Sequence, residues 1–152
     1  MYKKILVPLD GSDLAECALA HVKAIASGCY VPEVVLLGVH EPLPSDGMMY
    51  AELGDGWQDE FRKKRHSGTK QYLDNVATEL RKSAINVFTD VVEGTPAEAI
   101  LDYTKKKNVD LIIMSTHGRS GVVRWAMGSV ADKVMRHAAV PVLAVASPSC
   151  RA

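Results

Sequence analysis

The chain has 152 residues, a length that one hydrophobic core can stabilise without disulfides or metal ions. It carries 18 acidic and 18 basic side chains and 47% hydrophobic residues, so no global charge favours nucleic acid or a membrane as partner. No apolar run approaches the roughly 20 residues that cross a bilayer, and no leader pattern begins the sequence. We therefore expect a single cytoplasmic domain. Cys17, Cys29 and Cys150 stand at unrelated spacings, which predicts neither a disulfide framework nor a zinc site.

The first strand is predicted over residues 4–9, where Ile5-Leu6-Val7 is an uninterrupted apolar run. Asp10-Gly11-Ser12 then turns the chain into a helix that extends to about residue 28. Either Ser12 or Asp13 can cap this helix. Asp13, followed three residues later by Glu16, fits a capping box slightly better.

The second strand is predicted over residues 34–40, and a long segment rich in proline and glycine follows it. This segment, residues 41–56, is too long and too rich in helix breakers for a simple connection, so we interpret it as a mobile loop near the site. A long helix follows over residues 57–81. Its predicted apolar face consists of Phe61, Tyr72, Leu73, Val76 and Leu80.

The third strand is predicted over residues 87–92 and is expected at an edge of the sheet, because Thr89 and Asp90 interrupt its apolar character. Thr95-Pro96-Ala97-Glu98 is a strong helix start, with a capping threonine, proline at the first position and glutamate returning to the cap. The three lysines at 105–107 complement the dipole at the end of this helix and form no extended nucleic-acid patch.

The fourth strand, residues 110–114, ends in the polar turn Ser115-Thr116-His117-Gly118, and Gly128-Ser129 follows ten positions later. Ser129 and Asp132 fit the cap and third position of a helix that starts near Val130. Backbone N–H groups at a helix start are unpaired and partly positive, and glycines beside them allow close approach of a phosphate. The pattern predicts an anion-binding turn. A fifth strand is predicted over residues 140–146.

The spacing Ser115-x2-Gly118-x9-Gly128-Ser129 resembles the nucleotide motif of universal stress proteins, which is Gly-x2-Gly-x9-Gly-(Ser/Thr). Residues 3–12 are similar to the first strand and turn of that family, and residues 141–145 to its last strand. The resemblance thus extends over nearly the whole chain. It departs at Ser115, which adds a side chain where the family has its first motif glycine.

Strands alternating with helices predict the α/β class, with a five-stranded parallel sheet and helices on both faces. The resemblance implies the strand order 3-2-1-4-5, one domain over residues 1–147 and a flexible tail at 148–152. In that order the connections reverse direction between strands 1 and 4. Ligands bind at such a reversal, beyond the carboxyl ends of the strands.

The resemblance also implies roles for individual residues, each of them a hypothesis. Adenosine would be bordered by the ends of strands 1 and 2, with Asp10 near the ribose or a phosphate-bound magnesium ion, and the end of strand 4 would pass beneath it. The backbone around the second and third motif glycines would face the phosphates, with added charge from Arg119. The nucleotide-binding set is Pro8, Leu9, Asp10, Val39, Met114, Ser115, His117, Gly118, Arg119, Gly128, Ser129 and Val130.

Several enzyme classes lack their signatures in this sequence. There is no P-loop, no Gly-x-Gly-x-x-Gly after the first strand and no His-Glu-x-x-His, and Ser120 does not fit a nucleophile elbow. His117 at such a position is more typical of a turn residue bonded to backbone than of a catalytic base. An ATP-hydrolysing enzyme would have to depend on Asp10 or His117.

We therefore expect a universal stress protein that binds ATP or a related adenine nucleotide as a signalling module, with at most slow hydrolysis. The alternative is a dimeric interaction protein that has lost nucleotide binding, an interpretation that Ser115 favours. Dimerisation is expected in both cases through the apolar strand Val142–Val145, since such a sheet edge usually needs covering.

Overall fold

The computed structural model describes residues 2–43, 56–117 and 127–146. Most of the predicted loop at 41–56, the predicted tail at 148–152, and two predicted site residues, Gly118 and Arg119, lie outside these ranges. The elements, in chain order, are β1 Lys4–Pro8, α1 Asp13–Glu16, α2 Leu19–Gly28, β2 Glu33–His40, α3 Trp57–Arg81, β3 Val87–Glu93, α4 Pro96–Lys106, β4 Leu111–Ser115, α5 Ser129–His137 and β5 Val142–Val145.

All five strands are parallel and lie in the order β3-β2-β1-β4-β5, which confirms the predicted fold class and topology. β3 is an edge strand, as the polar residues within it indicated. β5 forms the opposite edge. The central strands are buried on both faces, and this explains their uninterrupted apolar runs.

Alternation along the strands divides the core into two layers. One layer contains Ile5 and Val7 and packs beneath α1, α2 and α3. The other contains Leu6 and Ile112 and packs beneath α4 and α5. Since successive side chains of a strand point to opposite faces, the parity of a strand residue determines which layer it joins.

The first helix differs from the prediction at its start. Its N-cap is Ser12, whose Oγ accepts a hydrogen bond from the Ala15 N–H at 3.2 Å, so the preference for Asp13 was wrong. The cause lies two residues before Ser12. Asp10 Oδ1 accepts hydrogen bonds from the Ser12 N–H (3.0 Å) and the Ser12 hydroxyl (2.6 Å). These bonds hold Ser12 in the extended conformation of a cap.

The predicted single helix is also interrupted, between α1 and α2. The N–H groups of Cys17 and Ala18 bond to the carbonyls of Leu14 and Ala15, three residues back. The chain therefore makes one tightened turn before α2 begins at Leu19.

The bounds predicted for the long helix match α3, but one member of its apolar face was misassigned. Leu73, Val76 and Leu80 are buried, whereas Phe61 is 44% exposed and its ring contacts Trp57 instead, at 6.2 Å between centroids. Only the second half of α3 contributes buried residues to the core, so an apolar residue near the helix start has no core to enter.

The start of α4 is as predicted in position, with Thr95 as N-cap and Pro96 first in the helix. The predicted capping box is not formed, because the Thr95 side chain accepts no hydrogen bond from the helix backbone. Glu98 pairs with Lys133 of α5 at 2.8 Å. The hydrogen bond from Lys133, the charge of Lys133 and a side-chain hydrogen bond with Thr95 together lower the pKa of the Glu98 carboxyl.

One close packing contact had no signal in the sequence pattern. A Cβ at Gly38 of β2 would lie 2.6 Å from Thr69 Cγ2 of α3, a distance that no normal contact allows. Beside it, His40 Nε2 and the Thr69 hydroxyl form a hydrogen bond of 2.7 Å. Gly38 therefore sets how closely α3 approaches β2.

A candidate site at the carboxyl edge of the sheet

The two central strands diverge at their carboxyl ends. β1 and β4 pair only at Ile5↔Leu111 and Leu6↔Ile112. Beyond these pairs β1 stays with β2 as far as Leu37, and β4 stays with β5 as far as Val145. The divergence lies at the reversal of strand order, and we refer to the gap between the ends of β1 and β4 as the crevice, the place where ligands bind in sheets of this type.

The β1 side of the crevice consists of Pro8, Leu9 and Asp10. The Leu9 N–H donates to Leu37 O at 2.9 Å, and the Leu9 side chain is buried in the core, so only its backbone faces the edge. Asp10 is exposed, and its Oδ1 accepts the two hydrogen bonds from Ser12. The turn thus presents a carboxylate at the edge of the sheet.

The β4 side of the crevice is a turn whose polar groups form hydrogen bonds with one another. Met114 and Ser115 are buried. Ser115 Oγ accepts a hydrogen bond from the His117 N–H at 3.3 Å, and His117 Nδ1 lies 2.9 Å from the Thr116 hydroxyl. The serine that replaces the first motif glycine is therefore accommodated within the turn, with its hydroxyl bound.

Gly128 joins the start of α5 to this turn. Its N–H donates to Thr116 O at 2.8 Å, and a Cβ at Gly128 would lie 3.0 Å from the same oxygen. Since its φ is −58°, the need for glycine comes from this close approach and not from backbone strain. A packing reason for the glycine therefore exists without any ligand.

The helix cap predicted at Ser129 is one residue too late. Gly128 is the N-cap and Ser129 is the first helical residue, since the Gly128 carbonyl already accepts from the Asp132 N–H at 2.9 Å. The bond to Thr116 fixes Gly128 outside the helix. Ser129 and Val130 therefore carry the first N–H groups of α5, and such groups have no acceptor within the helix.

The predicted residues at the ends of three elements share one layer of the core. Val39 at the end of β2, Met114 at the end of β4 and Val130 at the start of α5 all belong to the cluster beneath α4 and α5. The structure thus brings together these three residues, which are far apart in sequence, on one face of the sheet. Val130 itself lies in the first turn of α5, where the backbone N–H groups are partly positive.

The described residues contain neither a metal-ligand cluster of three or more His, Cys, Asp or Glu side chains nor a helix of the length and apolarity that a membrane span requires.

A family model described as the universal stress protein family matches residues 1–146. The chain belongs to this family. Two relatives from Methanocaldococcus jannaschii are each 33% identical to it: universal stress protein MJ0531 (97% of this chain and 84% of that protein) and universal stress protein MJ0577 (95% of each).

Solved structures agree with this assignment. The structure of MJ0577 has a TM-score of 0.81 at 34% identity and covers 96% of both chains. Two more distant structures show the same fold: a universal stress protein in complex with cAMP (TM-score 0.65, 20% identity, 96% and 98% covered) and one from Arabidopsis thaliana with AMP bound (0.62, 15%, 95% and 92%).

Proposed function

We propose that this universal stress protein binds ATP or a related adenine nucleotide in the crevice between β1 and β4. The observation that carries the proposal is the meeting of three features at one edge of the sheet. These are the diverging strand ends, the glycine-bearing start of α5 held to the β4 turn, and the exposed carboxylate of Asp10.

Two family structures contain adenine nucleotides, AMP in one and cAMP in the other, and this supports adenine as the base. Val39 and Met114 supply the apolar boundary that a base needs. The phosphates lie at the start of α5, where the N–H groups of Ser129 and Val130 bind them.

A magnesium ion fits this arrangement as part of the nucleotide. Magnesium keeps several waters and is bound mainly by substrate phosphates with one or two carboxylates, and Asp10 is one exposed carboxylate at the edge. The charge of the ion would offset repulsion between Asp10 and the phosphates.

The protein acts as a nucleotide-responsive module of the cytoplasm in this proposal, and not as a dedicated enzyme. His117, the imidazole of the β4 turn, is already bonded through Nδ1 to the Thr116 hydroxyl beside it.

Two copies pair through the exposed edge of β5, Val142–Val145, whose first three residues are only partly buried. A monomer in sedimentation at micromolar concentration would rule out the dimer.

The nucleotide proposal is tested in two steps. Freshly purified protein is denatured and the released small molecules are identified by mass spectrometry, and ATP with magnesium is then titrated by calorimetry. We expect an adenine nucleotide in at least one of the two measurements. Its absence from both would favour the alternative, a dimeric interaction protein without nucleotide.

A matched pair of variants locates the site. Asp10→Asn removes the charge but keeps the oxygen that binds Ser12, while Asp13→Asn removes another exposed charge three residues away. We expect Asp10→Asn to weaken the affinity for magnesium-ATP by about tenfold or more, roughly 1.4 kcal/mol, and Asp13→Asn to have little effect. Equal effects would place the nucleotide elsewhere.

A further inference from the structure

A second cavity lies away from the crevice, at the other side of β2. It has a volume of about 300 Å³ and opens between the first half of α3 and the carboxyl ends of β2 and β3. Its wall carries five nitrogen-bearing side chains: His40, Arg62, Lys63, Arg65 and His66. The rest of its lining is Val91, Val92 and Glu93.

Most of this cavity lies on the α3 side of the sheet, at the β3 side of β2. Val39 packs in the layer beneath α4 and α5, whereas the next residue, His40, bonds to Thr69 of α3 on the opposite face. Val91, which lines the cavity, packs in the layer beneath α3. Val92, which also lines the cavity, packs in the layer beneath α4 and α5, so the cavity extends across the ends of β2 and β3 while its basic wall stands on the α3 side.

The cavity concentrates positive charge on a chain whose formal net charge is zero. Three permanent cations, Arg62, Lys63 and Arg65, face one carboxylate, Glu93, which leaves an excess of two positive charges with both histidines neutral. The Glu93 carboxylate interacts only weakly with these cations. Arg62 Nη2 lies 4.0 Å from Glu93 Oε1 and both side chains are about half exposed, so the pair is weak.

Part of the basic wall is already positioned. Arg65 Nη1 donates to Glu41 O at 3.3 Å, and the Arg65 guanidinium carbon lies 5.8 Å from the centre of the Phe61 ring. Among the described residues, no carboxylate lies within ion-pair distance of Lys63 or Arg65. The arginine fork is thus oriented by a carbonyl and a ring, neither of which neutralises its charge.

We propose that this cavity is a second ligand site, for a small molecule that carries phosphate groups. Arginine and lysine donors favour phosphate oxygens through charge-assisted hydrogen bonds. The volume is at the lower end of small-molecule pockets, and Val91 and Val92 at the end of β3 supply its apolar lining. The charge excess of two matches a pyrophosphate-sized group better than a single carboxylate.

The probe for this site is inorganic pyrophosphate, added to the full-length ¹⁵N-labelled protein and followed through its amide resonances. We expect saturable shifts at residues 62–66 and 91–93. The site would be refuted by shifts confined to residues 128–130, by no shifts, or by equal shifts in sodium chloride of the same ionic strength. Tighter binding of the tricarboxylate tricarballylate would overturn the assignment to phosphate.

A pair of double variants tests the named side chains. Arg62→Gln with Arg65→Gln should weaken pyrophosphate binding at least about tenfold, because two charge-assisted contacts are lost. Lys105→Gln with Lys106→Gln removes two exposed charges at the end of α4 and should leave the affinity unchanged. Similar affinities for the two double variants would refute the site.

A single variant guards against loss of the Arg65 packing. Lys63→Gln changes an exposed side chain and should still weaken binding by about threefold or more. Wild-type affinity in Lys63→Gln and in the arginine variant together would contradict the proposal. Because the reporting amides differ from those at the start of α5, this result is independent of ATP binding.

Discussion

Replacing Gly38 by alanine probes how closely α3 packs on the sheet. The added Cβ would lie 2.6 Å from Thr69 Cγ2, while its next neighbours, Leu73 Cδ1 at 3.4 Å and Val91 Cγ2 at 3.7 Å, are at ordinary contact distances. The whole conflict therefore involves one methyl group. Thr69 cannot simply rotate away, because its hydroxyl is bonded to His40 at 2.7 Å.

Two opposing effects set the change in stability. Overpacking a close contact typically costs about 1–3 kcal/mol. Alanine in place of glycine inside a strand stabilises the fold by roughly 0.5–1 kcal/mol, because the unfolded chain has lower entropy. We expect Gly38→Ala to destabilise the protein by about 1–2 kcal/mol, since the cost of the overlap exceeds the gain in entropy.

The double variant isolates the cause. Thr69→Ser removes the conflicting methyl group but keeps the hydroxyl for His40. In that background Gly38→Ala should become neutral or stabilising by up to about 1 kcal/mol, which gives a coupling free energy of about 1–3 kcal/mol. The control is Gly68→Ala on α3, where an added Cβ would meet no atom within 4 Å and should stabilise the helix by about 1 kcal/mol.

The assay is urea unfolding followed by far-ultraviolet circular dichroism, at one fixed protein concentration because association would shift the apparent stability. The four proteins of the cycle are compared at pH 7. Equal destabilisation by Gly38→Ala with Thr69 and with Ser at that position would refute the reasoning. So would a neutral effect of Gly38→Ala alone.

Two further predictions concern side chains that tie helices to the edge strand β3. The hydroxyl of Thr89, with help from Lys70, lowers the pKa of Asp74 below its ordinary value of 3.8. A lowered pKa stabilises the fold above the ordinary value and this contribution disappears as the pH falls through the lowered one, so Asp74→Asn should destabilise at pH 7 and approach wild type as the pH falls below 3.8 in urea unfolding. Tyr103→Phe removes the hydrogen bond to Asp90 (3.0 Å) and should cost about 1 kcal/mol from pH 6 to 9. Burial and that bond raise the pKa of Tyr103 above its usual range, so a cost that disappeared within this pH interval would contradict the assignment.

Features that depend on local periodicity were predictable from the sequence. The bounds of α3 and the edge position of β3 follow from apolar spacing and from Thr89 and Asp90, and the structure agrees with both. The strand order came from the resemblance to the family, because no local pattern determines which strands are neighbours. It is confirmed as well.

Features that depend on contacts between distant segments were not predictable. Phe61 fits the apolar face of α3 by spacing, but this part of the helix extends past the core. Ser12 and Asp13 were both acceptable caps by residue type, and the choice depended on the carboxylate of Asp10. The basic cavity assembles residues from β2, α3 and β3, so no single stretch of sequence contains it.

The glycine at 128 illustrates how structural and functional explanations of a motif can coexist. A nucleotide motif requires a glycine there so that phosphate can approach the backbone. The structure gives a second requirement, since any Cβ would lie 3.0 Å from Thr116 O. The motif glycine alone would therefore be compatible with a protein that binds no nucleotide. The proposal depends instead on the combination of this turn with the diverging ends of β1 and β4 and the apolar boundary of Val39 and Met114, because packing of Gly128 explains neither of these.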